Sequence, residues 1–173
     1  AAAINNLLHQ EEVQRLFEGF VPAAVVAIES RDPTPAGHSG RVARYSCGLA
    51  LATERAGSVA GPWRDARFSR DEIMELRYAA LLHDFGKIKH EHRELLLRPG
   101  SLTAEEKRAM AEHAVSGAAM AAQIRSLRKI SEIVLAHHEK FDGQGHPRGL
   151  KGTQIPLGAR ILNVADAFDA MTS

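Results

Sequence analysis

Nine histidines stand against a single cysteine, Cys47, in a chain of 173 residues, so imidazole is the side chain whose abundance needs explaining. Two adjacent pairs stand out among them, His83-Asp84 and His137-His138. Neutral imidazole nitrogens and carboxylate oxygens together are the donor set for zinc, manganese, iron and similar divalent ions. The lone cysteine excludes an internal disulfide framework and any multi-cysteine zinc site, and it suits a reducing compartment. Whether the histidines gather at one point depends on the elements that carry them.

Apolar residues recur at spacings of three and four and hardly ever at two, so the chain reads as almost all helix. Ser69 to Glu72 and Thr103 to Glu106 each place a capping hydroxyl three residues before a glutamate that can bond back, which starts helices near 70 and 104. Further helices are expected at 4–18, 22–30, 38–56, 115–125, 128–138 and 157–171, with Pro22 and Pro156 suited to first turns. The irregular pieces are 31–37, 57–68, 87–101 and the glycine-rich 142–152, the last composed for close approach to a ligand.

On such helices the stripes end in polar groups. The helix from 70 runs Leu76, Ala79, Ala80, His83; the next runs Ile130, Ile133, Val134, His137; the last runs Leu162, Ala165, Asp166, Asp169. Ala109, Met110 and His113 repeat the pattern, and His38 shares a face with Val42, Tyr45 and Leu49. A carboxylate buried in an apolar stripe costs several kcal/mol unless something pairs with it. No Lys or Arg of the last helix falls on its stripe, so a cation must come from elsewhere. One inward histidine is ordinarily a satisfied core residue; five helices that each aim a histidine or aspartate inward point to metal. His38, His83, Asp84, His113, His137, His138 and Asp166 are more donors than one tetrahedral ion needs, so two ions bridged by a carboxylate are expected, with Asp84 as the bridge.

Composition narrows the rest. With 45% hydrophobic and 25% charged residues the chain can bury a core, and 22 Lys and Arg against 21 Asp and Glu leave a net charge of +1. That charge offers no global field for a DNA or RNA polymer or an anionic membrane. No apolar run approaches the roughly 20 residues of a membrane span, and no signal-peptide pattern opens the chain. The cytoplasm is the expected compartment.

The ordered motifs His83-Asp84-Phe85-Gly86-Lys87, Arg98-Pro99-Gly100-Ser101-Leu102-Thr103, His137-His138-Glu139, Asp142-Gly143-Gln144-Gly145-His146-Pro147, Gly149-Leu150-Lys151-Gly152 with Ile155-Pro156, and Asp166-Ala167-Phe168-Asp169-Ala170-Met171-Thr172 resemble the HD-GYP family over about 36–173. The resemblance implies an all-α bundle of the HD phosphohydrolase type with a metal site in its core. It implies a domain at 33–173, cut short at its C-terminal end, behind N-terminal helices at 1–32 that belong to it or end a linker. It further implies hydrolysis of cyclic di-GMP or a related cyclic dinucleotide to linear pGpG or GMP. The partners it implies are an upstream sensory or receiver domain and a GGDEF-type cyclase.

By position, His38, His83, Asp84 and Asp166 would hold the first metal and His113, His137 and His138 the second, with Asp84 between. Members with a third metal carry a glutamate where this chain has Thr34, so two are expected. Iron or manganese is typical of the family, while the donors do not exclude zinc, nickel or cobalt. Lys87 would contact the phosphate or protonate the departing ribose oxygen, and Asp169 would orient a ligand or bind the active-site water. Phe141, Gly145, His146 and Pro147 are the expected substrate contacts, although His146 replaces the family's tyrosine and is otherwise a solvated turn residue. The family's basic residues after Asp169 would fall beyond Ser173, while His9, His90 and His92 read as solvated. Three readings stand: an active phosphodiesterase, a low-turnover regulatory module that keeps its metals, and a mononucleotide phosphohydrolase.

Overall fold

Both hydroxyl–glutamate pairs form capping boxes in the computed structural model, which describes residues 19–30, 36–57, 66–88, 100–101 and 103–173. Ser69 and Thr103 accept from the backbone of Glu72 and Glu106, whose carboxylates accept in return from the backbone of the two caps. The helices are α1 (19–29), α2 (His38–Gly57), α3 (Arg70–Leu82), α4 (Ala104–Gln123), α5 (Ser131–Ala136) and α6 (Leu157–Thr172). Single 3-10 turns occur at Phe85–Ile88, Arg128–Ile130 and Gly152–Gln154, and no strand occurs among the described residues. The protein is therefore all-α. No described helix is long and apolar enough to cross a membrane.

Three expectations change in detail. The helices expected from 104 and at 115–125 are one, α4, because Gly117 serves as a contact point rather than a break: an added Cβ there would lie 3.1 Å from the Gly86 nitrogen. The helix expected at 128–138 divides into a 3-10 turn and α5, which stops at Ala136 and leaves His137 and His138 in a turn. Pro156 caps α6 from outside instead of occupying its first turn. The expected helix at 4–18, and His9, Thr34, His90 and His92, lie outside the described residues.

The core is built from small and branched side chains. Val42, Ala43 and Ala50 of α2 meet Leu76, Ala79 and Ala80 of α3 and Leu162 and Ala165 of α6, while Ala118, Ile130 and Val134 close the far side, and Val21 and Val25 of α1 join the same cluster. Alanines at the crossings let helix axes approach closely, and so the polar ends of the stripes converge. The start of α2 is fixed by Glu29 of α1, whose carboxylate accepts from the Gly37 and Ser39 backbone at 2.8 and 2.9 Å and satisfies amides that the helix cannot.

Candidate metal centre

Each candidate ligand occurs where its helix starts or stops, or on an inward stripe. His38 is the first residue of α2, His83-Asp84 and His137-His138 follow the last turns of α3 and α5, His113 lies within α4, and Asp166 and Asp169 lie on α6. A helix that has just ended can turn adjacent side chains toward one point, so both doublets contribute twice. Gly86 makes the approach of the 3-10 turn after α3 to α4 possible: a Cβ there would overlap the His113 carbonyl and stand 2.8 Å from the Gly117 nitrogen.

Three histidines are aimed by the same device. Nδ1–H of His83, His113 and His137 donates to the carbonyl three residues back, of Ala80, Met110 and Val134, at 2.7, 2.6 and 2.6 Å. A carbonyl can only accept, so Nδ1 carries the proton, and Nε2 is the nitrogen left to offer a lone pair when the ring is neutral. The Nε2 atoms then meet: His113 lies 3.4 Å from His137 and 3.1 Å from His138. Burial, together with the neighbouring His83 and His113, holds His137 well below the ordinary imidazole range. Burial, then His137 and His113, pushes His138 down to about 2. Burial also lowers His113. His113 and His137, both protonated on Nδ1, face each other lone pair to lone pair across 3.4 Å, and a cation between them resolves the conflict.

The second group lies beside the first. His38, His83 and Asp84 bring ligand atoms within 4.8 Å of one another, as do His113, His137 and His138. Asp166 Oδ1 joins them at 3.3 Å from His38 Nε2 and 3.8 Å from His83 Nε2. Asp84 belongs to both groups: Oδ2 is 3.3 Å from His83 Nε2, and Oδ1 is 3.4 Å from His113 Nε2. Burial opposes ionisation of Asp84, yet His83 and Lys87 hold it well below the usual carboxylate range. At His83 burial would lower the imidazole, but Asp84 and Asp166 outweigh it and raise it to about 9. Positive charge is wanted at this point. Imidazole and carboxylate donors at these separations fit the requirements of divalent cations.

The cation that the α6 stripe lacks is supplied in part by α2. Arg41 forks onto Asp169, Nε to Oδ1 at 2.7 Å and Nη2 to Oδ2 at 3.0 Å, and His38 Nδ1–H donates to Asp169 Oδ2 at 2.7 Å. Hydrogen bonds from Arg41 bring Asp169 down to about 2 against the opposing effect of burial, with His38 helping. Asp169 thus stands behind His38, turned away from the convergence point.

Lys87 Nζ donates to Asp84 Oδ2 at 2.8 Å, at the edge of the cluster. His146 is half-buried with its ring 4.9 Å from that of His138, its Nδ1 is enclosed without a hydrogen-bond partner, and it borders a depression of about 250 Å³ shared with Lys107, Met110, His113 and His138. It is therefore not a solvated turn residue. Phe141 departs from expectation: it is 66% exposed and lines a different groove, with Leu49, Ile155, Arg160 and Val164, because the chain reverses between Glu139 and His146 and carries the two rings to separate faces. Gly145 has a packing role, since a Cβ would overlap the backbone of Glu139 and Lys140, and Pro147 is exposed beside it.

Three contributors were not legible as site residues. Glu139, almost fully buried, accepts from the Arg148 and Leu150 backbone at 2.7 and 2.9 Å and so folds the glycine-rich loop back on itself. Asn163 donates to the His137 carbonyl at 2.7 Å and braces the histidine turn from α6. Arg41 is the third. The one signal in the sequence was the closeness of each to a candidate: Glu139 follows His138, Arg41 lies one turn after His38 and Asn163 one turn before Asp166.

A family model described as HD domain matches residues 33–173. The chain is 44% identical over 124 residues to a cyclic di-GMP phosphodiesterase of Thermotoga maritima, covering 70% of this chain and 33% of the relative. It is 35% identical over 157 residues to 3'3'-cGAMP-specific phosphodiesterase 3 of Vibrio cholerae, covering 91% and 31%. A cyclic di-GMP phosphodiesterase response regulator of Xanthomonas campestris is 38% identical over 155 residues, with 87% and 41% covered. The chain thus spans between about a third and two fifths of the length of these relatives.

Proposed function

From the chain's place in the HD domain family, to which it belongs, and from its paired donor clusters, we propose that it is the catalytic part of a metal-dependent cyclic-dinucleotide phosphodiesterase. The observation that carries this is the convergence of His113, His137 and His138 through Nε2, beside a carboxylate shared with His83. His38, His83, Asp84 and Asp166 would hold one cation, His113, His137 and His138 the other, with Asp84 common to both. Iron or manganese is the pair we favour by family resemblance, with zinc, nickel and cobalt also compatible with the donors.

Two cations so held supply charge neutralisation at phosphorus and a deprotonated water at neutral pH. The protein's part is to fix them and to meet the ester. Asp84 keeps its charge within the cluster. Lys87, already at its rim, is placed to contact a non-bridging phosphate oxygen or to give a proton to the departing ribose oxygen. His146 and Pro147, with Gly145 shaping their turn, would contact the nucleotide where the loop overhangs His138. Phe141 does not share that depression and is left out of the set. The products would be the linear dinucleotide pGpG or, after a second cut, GMP.

The relatives' names include both cyclic di-GMP and 3'3'-cGAMP, so both are the substrates to try. A cytoplasmic location, an upstream sensory or receiver domain and a GGDEF-type cyclase partner belong to the same proposal; the response-regulator relative supports the receiver domain. The test is elemental analysis of the purified protein joined to an assay for loss of each dinucleotide with added iron or manganese. Two metals per chain with hydrolysis is the expected result. Two metals with binding and no turnover would favour the regulatory-module reading, for which His146 in the tyrosine position is the motivating residue. No metal at all would overturn the proposal.

A further inference from the structure

Among the ligands, His38 alone is backed by a carboxylate rather than by a main-chain carbonyl, and that carboxylate is itself held by a guanidinium. Asp169 is buried at 1% side-chain exposure, and accepts from His38 Nδ1–H on Oδ2 and from Arg41 on both oxygens. Arg41 reaches back as well, donating Nη1–H to the Ala36 carbonyl at 2.8 Å, before the first turn of α2. The guanidinium is planar, so these contacts fix its plane, the plane of Asp169, and through it the rotation of the His38 ring.

We propose that Arg41 is a positioning residue for one half of the metal centre: acting through Asp169, it sets the orientation and tautomer of His38 and thereby the affinity of the His38–His83–Asp84–Asp166 site, leaving the three-histidine site untouched. The argument is geometric. His38 is the first residue of α2, so its own helix has no carbonyl three residues back to accept from its ring, and Nδ1–H donates to Asp169 at 2.7 Å instead. His83, His113 and His137 need no such help, since each borrows the carbonyl three residues back. Loss of Arg41 would leave Asp169 held by His38 and by a longer hydrogen bond of 3.3 Å from the Ser173 hydroxyl, without the fork that fixes its plane, and His38 Nε2 would lose its fixed direction toward Asp166. Outer-sphere partners of this kind are typically worth about 10–100-fold in metal affinity. The inference rests on the dinuclear reading proposed above.

The test uses the metal-free protein, titrated calorimetrically with manganese, for the wild type, Arg41→Ala and Arg41→Lys, with circular dichroism and thermal melting recorded alongside. The wild type should bind two ions. Arg41→Ala should keep one at unchanged affinity and bind the other about 10–100-fold more weakly. Arg41→Lys retains charge and stem but not the fork, so it should fall between the two, and it carries the test if the alanine variant does not fold. Asp169→Asn should weaken the same site. Two ions at wild-type affinity in both Arg41 variants would overturn the inference while leaving the dinuclear reading intact. Equal weakening of both sites would also overturn it, by making Arg41 a general support of the fold. A wild type that binds no manganese would overturn the dinuclear reading first, and the inference with it.

Discussion

Asp84 divides its two oxygens between the histidine groups, one toward His83 and one toward His113. Asp84→Ala should therefore empty both positions and not one. Elemental analysis should find well under two metals per chain, and dinucleotide hydrolysis should fall by more than about 100-fold, beyond the range that outer-sphere losses reach. A variant that keeps two metals would remove Asp84 from the bridge. Lys87 is different in kind, because it touches Asp84 from the rim and contributes no lone pair. Lys87→Ala should retain its metals and lose turnover, by about 100-fold or more if the lysine acts as general acid. Steady-state rates beside metal content separate the two outcomes, and full turnover would end the proposed role. Asp84 was legible from its adjacency to His83 at the end of the α3 stripe, and Lys87 from the motif that resembles the HD-GYP family. Arg41 was not: an arginine one turn into a helix is ordinarily a solvated residue, and only the fold shows the buried carboxylate that it meets.

The elements carry this chemistry by ending in the right places. Capping boxes, stripes and an all-helical class were readable since they rest on local spacing. Helix ends set by tertiary contact were not, which is why α4 runs through Gly117 and α5 stops short of His137. Gly86 is the sharpest instance, since it reads as a flexible position yet is required by the backbone of α4. Gly86→Ala must push against the His113 and Gly117 main chain, which cannot step aside as a side-chain tip would. It should cost about 1–3 kcal/mol, seen as a lower melting temperature, and should part Asp84 from His113. Gly48→Ala in α2, where an added Cβ meets nothing within 4 Å, is the control and should be neutral or stabilising. At the start of α3, Glu72 is held below its ordinary 4.5 by the backbone and hydroxyl hydrogen bonds of Ser69. A depressed carboxyl stabilises the fold above its unfolded value, so this contribution is complete above about pH 4.5 and fades as acid protonates Glu72 in the folded protein. Glutamine keeps the acceptor without the charge. Melting temperatures of Glu72→Gln should thus lie slightly below the wild type near neutrality and converge on it in acid, a shallower fall overall; parallel acid curves would deny Glu72 that share.

At the scale of the molecule, the proposed metal centre would take donors from the start of α2, the turn after α3, the middle of α4, the turn after α5 and the inward face of α6. These are also the elements whose packing forms the core, and no disulfide can tie them, since Cys47 has no partner cysteine. Without cations, the core must hold together a pocket of facing lone pairs and buried carboxylates. Metal binding and folding are then coupled, because an unfolded chain cannot present these donors together. An ion at 100 times its dissociation constant adds about 2.7 kcal/mol to stability for each site. In a chain of this length a kcal/mol moves the midpoint by about 2–4 °C, so one bound ion should raise melting by about 5–10 °C and two by more. Scanning calorimetry of chelator-treated protein, before and after manganese is restored, reads this directly. The whole transition should shift as one, because the donors span five helices; a small early transition that alone responds to metal would mean that the centre folds apart from the core. An unchanged midpoint would mean that the convergence of these side chains does not bind manganese.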